Sequence, residues 1–390
     1  MSILRVQKIR HTASNTDVID IANDGTCTAN ITNKPNRNLI INGAMNVAQR
    51  GTSSASSDYQ TVDRFQHSGS GWDEALTQEQ GTVASGTTPY TLGFRKTFKI
   101  TNGNQTSGFG VNDQVRIDTK LEAQDLATSG WNFKSSSSYI TLSYWVKSSV
   151  AQEFFGYLYI DDTPYKYGWS LGSLSADTWT KVTVTIPGNS NLGINNDTGV
   201  GCWLNLLGIW GSNKTASDAT PNTWVAFDGA KRSTDQAATW YTTNNATFEI
   251  TGVQLEVSDH ATDFEHRSYA QELALCQRYF YMHVAGGNVN GNDEDKAICT
   301  AVRWNNTEFY GTIFFPVYMR SKPSIYSSLG TDRMLFYKVG STDGVDAIGI
   351  QVMGYNNGVF SFTGGVSSSA PCGWMQLNNN DAYIGFNAEL

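Results

Sequence analysis

The sequence predicts an all-β protein built as an N-terminal arm, a central antiparallel jelly-roll sandwich, a short junction helix and a smaller C-terminal β-sandwich. Three observations carry that prediction. Short runs of alternating apolar and polar residues recur along the chain, and 37 glycines with many Asn, Ser and Thr residues punctuate them. Charged residues make up only 16% of the chain while aromatics reach 12%. Period-two alternation between turn formers is the strand signal, and aromatic and β-branched side chains suit a pleated, half-buried surface. At 390 residues the chain also exceeds the size at which a single core usually keeps growing, so two or three units are expected.

Residues 1–35 alternate short apolar patches (Ile3-Leu4, Val18-Ile19) with polar runs and a turn signal at Asn23-Asp24-Gly25. Such a segment is too small to bury a core alone, so it reads as an attachment arm, with a disordered leader as the alternative. Residues 36–267 carry the densest strand pattern, at 139–146, 154–160, 181–186, 200–207 and 247–255. Without an intervening helical period, these runs imply two antiparallel sheets packed face to face. In 139–146, Leu142, Tyr144 and Val146 share one face and Thr141, Ser143 and Lys147 the other, although alternation alone leaves open which face is buried.

Residues 268–281 form the junction helix. Ser268 followed three residues later by Gln271 has capping-box spacing, and Leu273, Cys276 and Phe280 fall on one helical stripe expected to lie against a sheet. Residues 282–390 return to strands at 307–315, 334–339, 348–352 and 382–386, which a second sandwich accounts for. No repeat of solenoid length is present.

Composition excludes several function classes. A net charge of −8 and a pI near 5.1 argue against nucleic acid, whose phosphates need clustered Lys and Arg. No apolar run is long enough for membrane insertion, and the first residues lack the apolar core of a secretion signal, so synthesis in a cytoplasm is expected. Cys27, Cys202, Cys276, Cys299 and Cys372 are scattered without zinc or disulfide spacing and read as free buried thiols. Adjacent acids at Asp73-Glu74, Asp161-Asp162 and Asp293-Glu294-Asp295 point to opposite faces of a strand and therefore read as turns, so no catalytic residue and no cofactor are assigned. Among the acids and amides of 288–295, Asn292, Asp293 and Asp295 are the candidate metal ligands. Their spacing is not that of an EF-hand, so the segment reads first as an acidic loop and second as a structural Ca²⁺ site.

Aromatic rings beside amides are the better functional signal, because a flat ring packs against the C–H face of a sugar while Asn and Gln hold its hydroxyls. Trp72, Tyr165, Tyr167, Trp169, Trp210, Trp304, Tyr355 and Trp374 qualify if exposed. Trp304, Tyr355 with Asn356 and Asn357, and Trp374 stand in Gly- and Asn-rich surroundings that favour loops and strand ends, and they are the candidate glycan- or receptor-binding residues.

Several stretches carry a resemblance. They are 38–51 (NLIINGAMNVAQRG), 61–65 (TVDRF), 143–147 (SYWVK), 179–188 (WTKVTVTIPG), 250–269 (ITGVQLEVSDHATDFEHRSY) running into 272–280 (ELALCQRYF), and 315–325 (FPVYMRSKPSI). Together they resemble tail-fibre and related structural proteins of tailed bacteriophages, particularly marine and cyanobacterial ones. Ser258 and Asp263 stand where that pattern usually has Gly and Pro, which puts local turn geometry in question. The resemblance implies a virion-borne homotrimer with a jelly roll like a carbohydrate-binding module. It also implies anchoring to tail or capsid proteins through residues 1–35, and a distal tip that adheres to a host glycan or protein without catalysis. A purely architectural virion protein and a polysaccharide depolymerase are the alternatives. Within such a scaffold Arg50 and Arg64 are expected to pair with Asp63 or Glu256, while Glu256, His266, Arg267 and Arg278 are expected to secure the junction.

Overall fold

A computed structural model of the chain describes residues 7–10, 17–21, 23–24, 27–29, 35–286, 297–338, 340–365, 371–378 and 380–390. In the arm, β1 (Lys8–Arg10), β2 (Asp17–Ile21) and β3 (Cys27–Ala29) pair antiparallel in that order. The rest of the arm lies outside the described residues, as do Asn292, Asp293 and Asp295.

The central unit holds β4 (Ser53–Ser54), β5 (Gln66–Ser70), β6 (Thr77–Thr82), α1 (Thr88–Thr91), β7 (Lys96–Thr101), β8 (Gln114–Glu122), α2 (Ala123–Ala127) and β9 (Tyr139–Ser148). It continues through β10 (Gln152–Ile160), β11 (Tyr165–Leu174), β12 (Thr180–Pro187), β13 (Val200–Trp210), β14 (Trp224–Ala226), α3 (Thr239–Thr242) and β15 (Thr247–Glu256). Two six-stranded sheets result, in the orders β14-β11-β10-β13-β8-β5 and β12-β9-β15-β7-β6-β4. Alternation decides what lies between them. Leu142, Tyr144 and Val146 turn into one core with Phe98, Ile117, Leu158, Leu204 and Ile250. Phe154 of one sheet meets Phe248 of the other edge-on at 5.0 Å. Two side chains inside that core bond across it, Trp169 Nε1 donating to Tyr144 Oη (3.2 Å) and Tyr144 donating to the Leu206 carbonyl (3.1 Å).

The conspicuous 38–51 stretch threads along this sandwich. The Leu39 amide donates to Leu255 O, Ile40, Met45 and Val47 are buried, and a Cβ at Gly43 would meet Val253 O at 2.1 Å. Glycine here permits close backbone approach.

α4 (Tyr269–Gln277) begins with the capping box expected from sequence, Ser268 Oγ accepting from the Gln271 amide and Gln271 Oε1 accepting from the Ser268 amide. Its buried stripe differs from the expected one. Glu272, Cys276 and Tyr279 face inward, whereas Phe280 already belongs to the next strand. Glu272 faces inward because its carboxylate accepts from the Asn42 amide and from Arg267 (3.0 Å), a demand that apolar periodicity does not reveal.

The C-terminal unit comprises β16 (Phe280–Ala285), β17 (Ala297–Arg303), β18 (Glu308–Phe314), β19 (Ser324–Ser328), β20 (Met334–Lys338), β21 (Ser341–Met353), β22 (Asn357–Gly364), β23 (Cys372–Leu377) and β24 (Tyr383–Asn387). It is all β, as expected, with one refinement of the sandwich. Beside the sheet β16-β24-β19, the other six strands close into a barrel in the order β17-β18-β22-β21-β20-β23. Closure comes from β23, where Trp374 stands opposite both Thr300 of β17 and Tyr337 of β20. Phe309, Phe336, Phe360, Phe362 and Phe386 fill a core separate from that of the sandwich.

The junction between the units is ionic and corrects one expectation. Arg50 and Arg64 both pair with Glu389, neither with Asp63 nor with Glu256, and all three side chains are buried. Asp63 instead accepts from the Gln49 amide at 3.0 Å, and Glu256 is engaged by Thr262. The Arg50 guanidinium lies 3.6 Å over the Phe280 ring and that of Arg64 3.5 Å over Tyr279, so each cation has an aromatic floor as well as a carboxylate. Arg278 grips Glu122 of β8 with two bonds (2.8 and 2.9 Å) and reaches the Tyr318 carbonyl at 3.4 Å, while Arg320 donates to Thr198 O, Ala388 O and Glu389 O.

Candidate binding surface

The aromatic rings of the two units point in opposite directions. In the sandwich, Tyr167, Trp169 and Trp210 are buried and Trp72 and Tyr165 partly so, which uses them as core. On the barrel, Trp304 is 66% and Trp374 52% exposed, Trp304 because it lies in a turn and Trp374 because it takes an outward position within β23.

Each exposed ring chosen from sequence has a tyrosine partner that sequence did not identify. Trp304 lies parallel to Tyr310 (5.1 Å, 8°), Trp374 to Tyr337 (5.1 Å, 0°), and Tyr355 to Tyr318 (5.1 Å, 5°). Register produces these pairs. Tyr337 and Trp374 are direct cross-strand neighbours, Trp304 folds back from the β17–β18 turn onto β18, and the Met319 amide binds Tyr355 O to bring Tyr318 alongside. Tyrosines 310, 318 and 337 carry no composition signal of their own; only strand pairing reveals them.

The structure divides the candidates between two places. Trp304, in the β17–β18 turn, and Trp374, on the adjoining β23, flank a shallow open groove lined by Thr300, Val302, Tyr310, Thr312 and Val359. Tyr355 and Asn356 occupy the β21–β22 turn and Asn357 opens β22, at the opposite end of β18, near exposed Phe314 and Tyr318 and close to the junction. Asn357 lies opposite Phe314 and Asn356 O accepts from the Phe315 amide. Formal charge hardly touches the groove. The nearby Arg303 donates to Asn305 O (2.9 Å) and Asn306 Oδ1 (2.8 Å), and Glu308 accepts from Asn305 Nδ2 (2.7 Å), so both build the hairpin.

The remaining candidates have placements as follows. Arg267 binds Glu272 (3.0 Å) and the Ile40 carbonyl (3.2 Å), tying α4 to the 38–51 stretch. His266 packs against Phe94 (5.2 Å) and Phe264 (4.9 Å), and its Nε2 donates to Leu92 O (2.9 Å), so it attaches to the sandwich rather than to α4. Asp73 accepts from the Ser107 amide and hydroxyl (2.6 and 2.8 Å), which hold its carboxyl below the usual range, and Asp162 accepts from the Asn195 amide (2.8 Å). These acids close turns. Among the described residues no group of three or more His, Cys, Asp or Glu is placed to hold a metal, and no helix is long and apolar enough to cross a membrane. Cys202 and Cys276 are buried as expected; Cys372 is exposed, because its strand position points outward from the barrel.

No family model matches the chain, and no curated protein matches it. Among solved structures it is similar to the enzymatically active domain of tailspike protein 4 of bacteriophage CBA120, at 10% identity and a TM-score of 0.31, over 58% of this chain and only 24% of that one. A putative sugar binding protein from Bacteroides thetaiotaomicron is 12% identical with a TM-score of 0.31, over 57% of this chain and 100% of that one. The tripod from the baseplate of bacteriophage Tuc2009 is 10% identical with a TM-score of 0.27, over 86% of this chain and 91% of that one. Likenesses of this size carry no argument about function.

Proposed function

We propose that this chain is a virion appendage subunit that adheres to a host surface glycan or protein through the aromatic face of its C-terminal barrel, without catalysis. The carrying observation is the two parallel aromatic stacks beside the barrel groove, Trp304 on Tyr310 and Trp374 on Tyr337, set against a sandwich that buries its rings. Solvent-exposed stacked rings present flat apolar plates at little conformational cost, and the amides and threonines around them supply hydrogen bonds for hydroxyl groups. The bacteriophage resemblance of 38–51 and 250–280 supports placing the subunit on a virion, with residues 1–35 as the anchoring arm.

A second reading has its own observation. Phe314, Tyr318 and Tyr355 are exposed apolar side chains grouped at the junction end of β18, away from Trp304. A face of that composition suits a neighbouring copy in a trimer, so the proposed homotrimer assigns this face to self-assembly and the Trp304–Trp374 groove to the host. Trimerisation multiplies weak contacts into useful adhesion. The test is the full chain on an array of bacterial surface glycans and on intact cells of candidate hosts. Binding that Trp304→Ala with Trp374→Ala removes supports adhesion. Absence of binding by the native chain, with assembly intact, supports the architectural reading instead.

A further inference from the structure

A second recess lies on the sandwich, away from the barrel. Its floor is the outer face of β9 and β12, where Ser143 and Trp145 alternate with the inward Leu142, Tyr144 and Val146, and Lys181 stands opposite Trp145. Its walls are Leu92 and Phe94, which follow α1, and the segment Thr262 to His266, which folds back over the sheet after β15. A bulge in β15 makes room. Gly252 has φ +64°, and a Cβ there would meet the Phe94 ring at 2.6 Å, so only glycine lets that ring close the pocket.

The chemistry of the lining is mixed in a specific way. Phe94, Phe264 and Trp145 pack together as an aromatic wall, with Phe94 and Phe264 edge to face at 4.9 Å. Around them, the Asp263 carboxylate, Lys181 Nζ, Ser143 Oγ and Trp145 Nε1 have no hydrogen-bond or ion-pair partner among the described residues. His266, whose Nε2 donates to Leu92 O at 2.9 Å, retains Nδ1 as an acceptor. Elsewhere on the same segment polar groups are committed, Glu265 accepting from the Asn38 amide and Thr262 from Arg37. Uncommitted donors and acceptors therefore concentrate where the ring wall is.

We infer that this recess is a binding site for a single neutral pyranose unit, independent of the barrel surface. A cavity of about 270 Å³ suits a ligand of one sugar ring rather than an extended chain. The partly buried Phe264 and Trp145 rings receive the C–H face, backed by the buried Phe94; the carboxylate and His266 Nδ1 accept from hydroxyls, and Lys181, Ser143 and Trp145 donate to ring or hydroxyl oxygens. Lys181 and Asp263 cancel each other's charge, so the rim favours neither a phosphorylated or sulfated ligand nor a cation. The 250–280 block thus supplies a ligand wall as well as packing.

The experiment titrates the full chain with the methyl glycosides of glucose, galactose, mannose and N-acetylglucosamine, read by saturation-transfer NMR and calorimetry. At least one glycoside is expected to bind in the millimolar range. Asp263→Ala and Lys181→Ala, both solvent-facing changes, should each weaken it about tenfold by removing a charge-assisted hydrogen bond, with an unchanged melting temperature. Trp304→Ala with Trp374→Ala should leave it intact. Failure of all four glycosides to bind, or binding that ignores Asp263 and Lys181, overturns the inference. Loss of binding on changing Trp304 and Trp374 would place the sugar on the barrel and overturn it equally.

Discussion

The sandwich and the barrel are both antiparallel β structures of similar composition, yet they treat aromatic residues in opposite ways. The sandwich folds Trp169 and Trp240 inward and covers Trp210 in a second aromatic cluster with Phe155 and Tyr157, whereas the barrel fills its core with phenylalanines and leaves Trp304 and Trp374 outside. A buried tryptophan is favoured where its N–H finds a partner, as Trp169 does in Tyr144 Oη and Trp240 in the Thr247 carbonyl. The difference teaches that an aromatic-rich sequence is not a binding surface until strand register says which rings face out. One unit gains its stability from those rings, and the other displays them at little stability cost.

The largest effects should come from breaking the sandwich core. Phe154→Ala, at a fully buried edge-to-face pair, is expected to cost about 3 to 5 kcal/mol, visible as a large drop in the urea midpoint. Glu389→Ala should cost a comparable ~3 to 5 kcal/mol by stranding two buried arginines, and scanning calorimetry should resolve separate melting of the two units if Glu389 couples them. A single unchanged transition would show that the units are held together some other way.

An intermediate effect is pH dependent and centres, in the sandwich, on His67 and Asp63. Burial lowers His67 from 6.5 to about 4, so the folded state favours the neutral ring. Its contribution is complete above pH 6.5 and is lost as pH falls through 6.5 towards 4, by up to roughly 3 kcal/mol. Asp63 acts in the opposite sense. Burial raises its carboxyl from 3.8 to about 6, so its charged form destabilises above pH 6 and that penalty lifts as pH falls towards 3.8. His67→Gln should therefore reverse the sign of the His67–Asp63 balance, making this part of the sandwich less sensitive to acid; melting temperatures at pH 7 and 4.5 measure it. Acid sensitivity identical to that of the native chain would remove His67 from the account. The smallest expected effect is on the barrel, where Trp374→Ala should change stability by no more than about 0.5 kcal/mol in chemical denaturation.

Much of the architecture was legible because it is local. Alternation located the strands, and Ser268 with Gln271 marked the start of the junction helix. The Gly and Asn neighbours of Trp304, Tyr355 and Trp374 marked those rings as exposed before any fold was known. What escaped is set by long-range register. Tyr310, Tyr318 and Tyr337 become ring partners only through strand pairing and loop placement, and the barrel closes only because β23 pairs on both edges. Glu389 meets Arg64 across 325 residues, which no local pattern encodes. The sandwich recess depends on the Gly252 bulge and on a returning segment, so its residues looked like ordinary outward strand positions.

The central claim is that the barrel's paired rings bind while the sandwich's rings support. Its most direct test compares the native chain with the triple variant Trp304→Ala, Thr312→Ala, Trp374→Ala, all on the groove, for both melting temperature and retention on surface glycans and host cells. The account predicts an unchanged melting temperature with retention lost. Retention that survives the three substitutions, or a melting temperature that collapses with them, would contradict it.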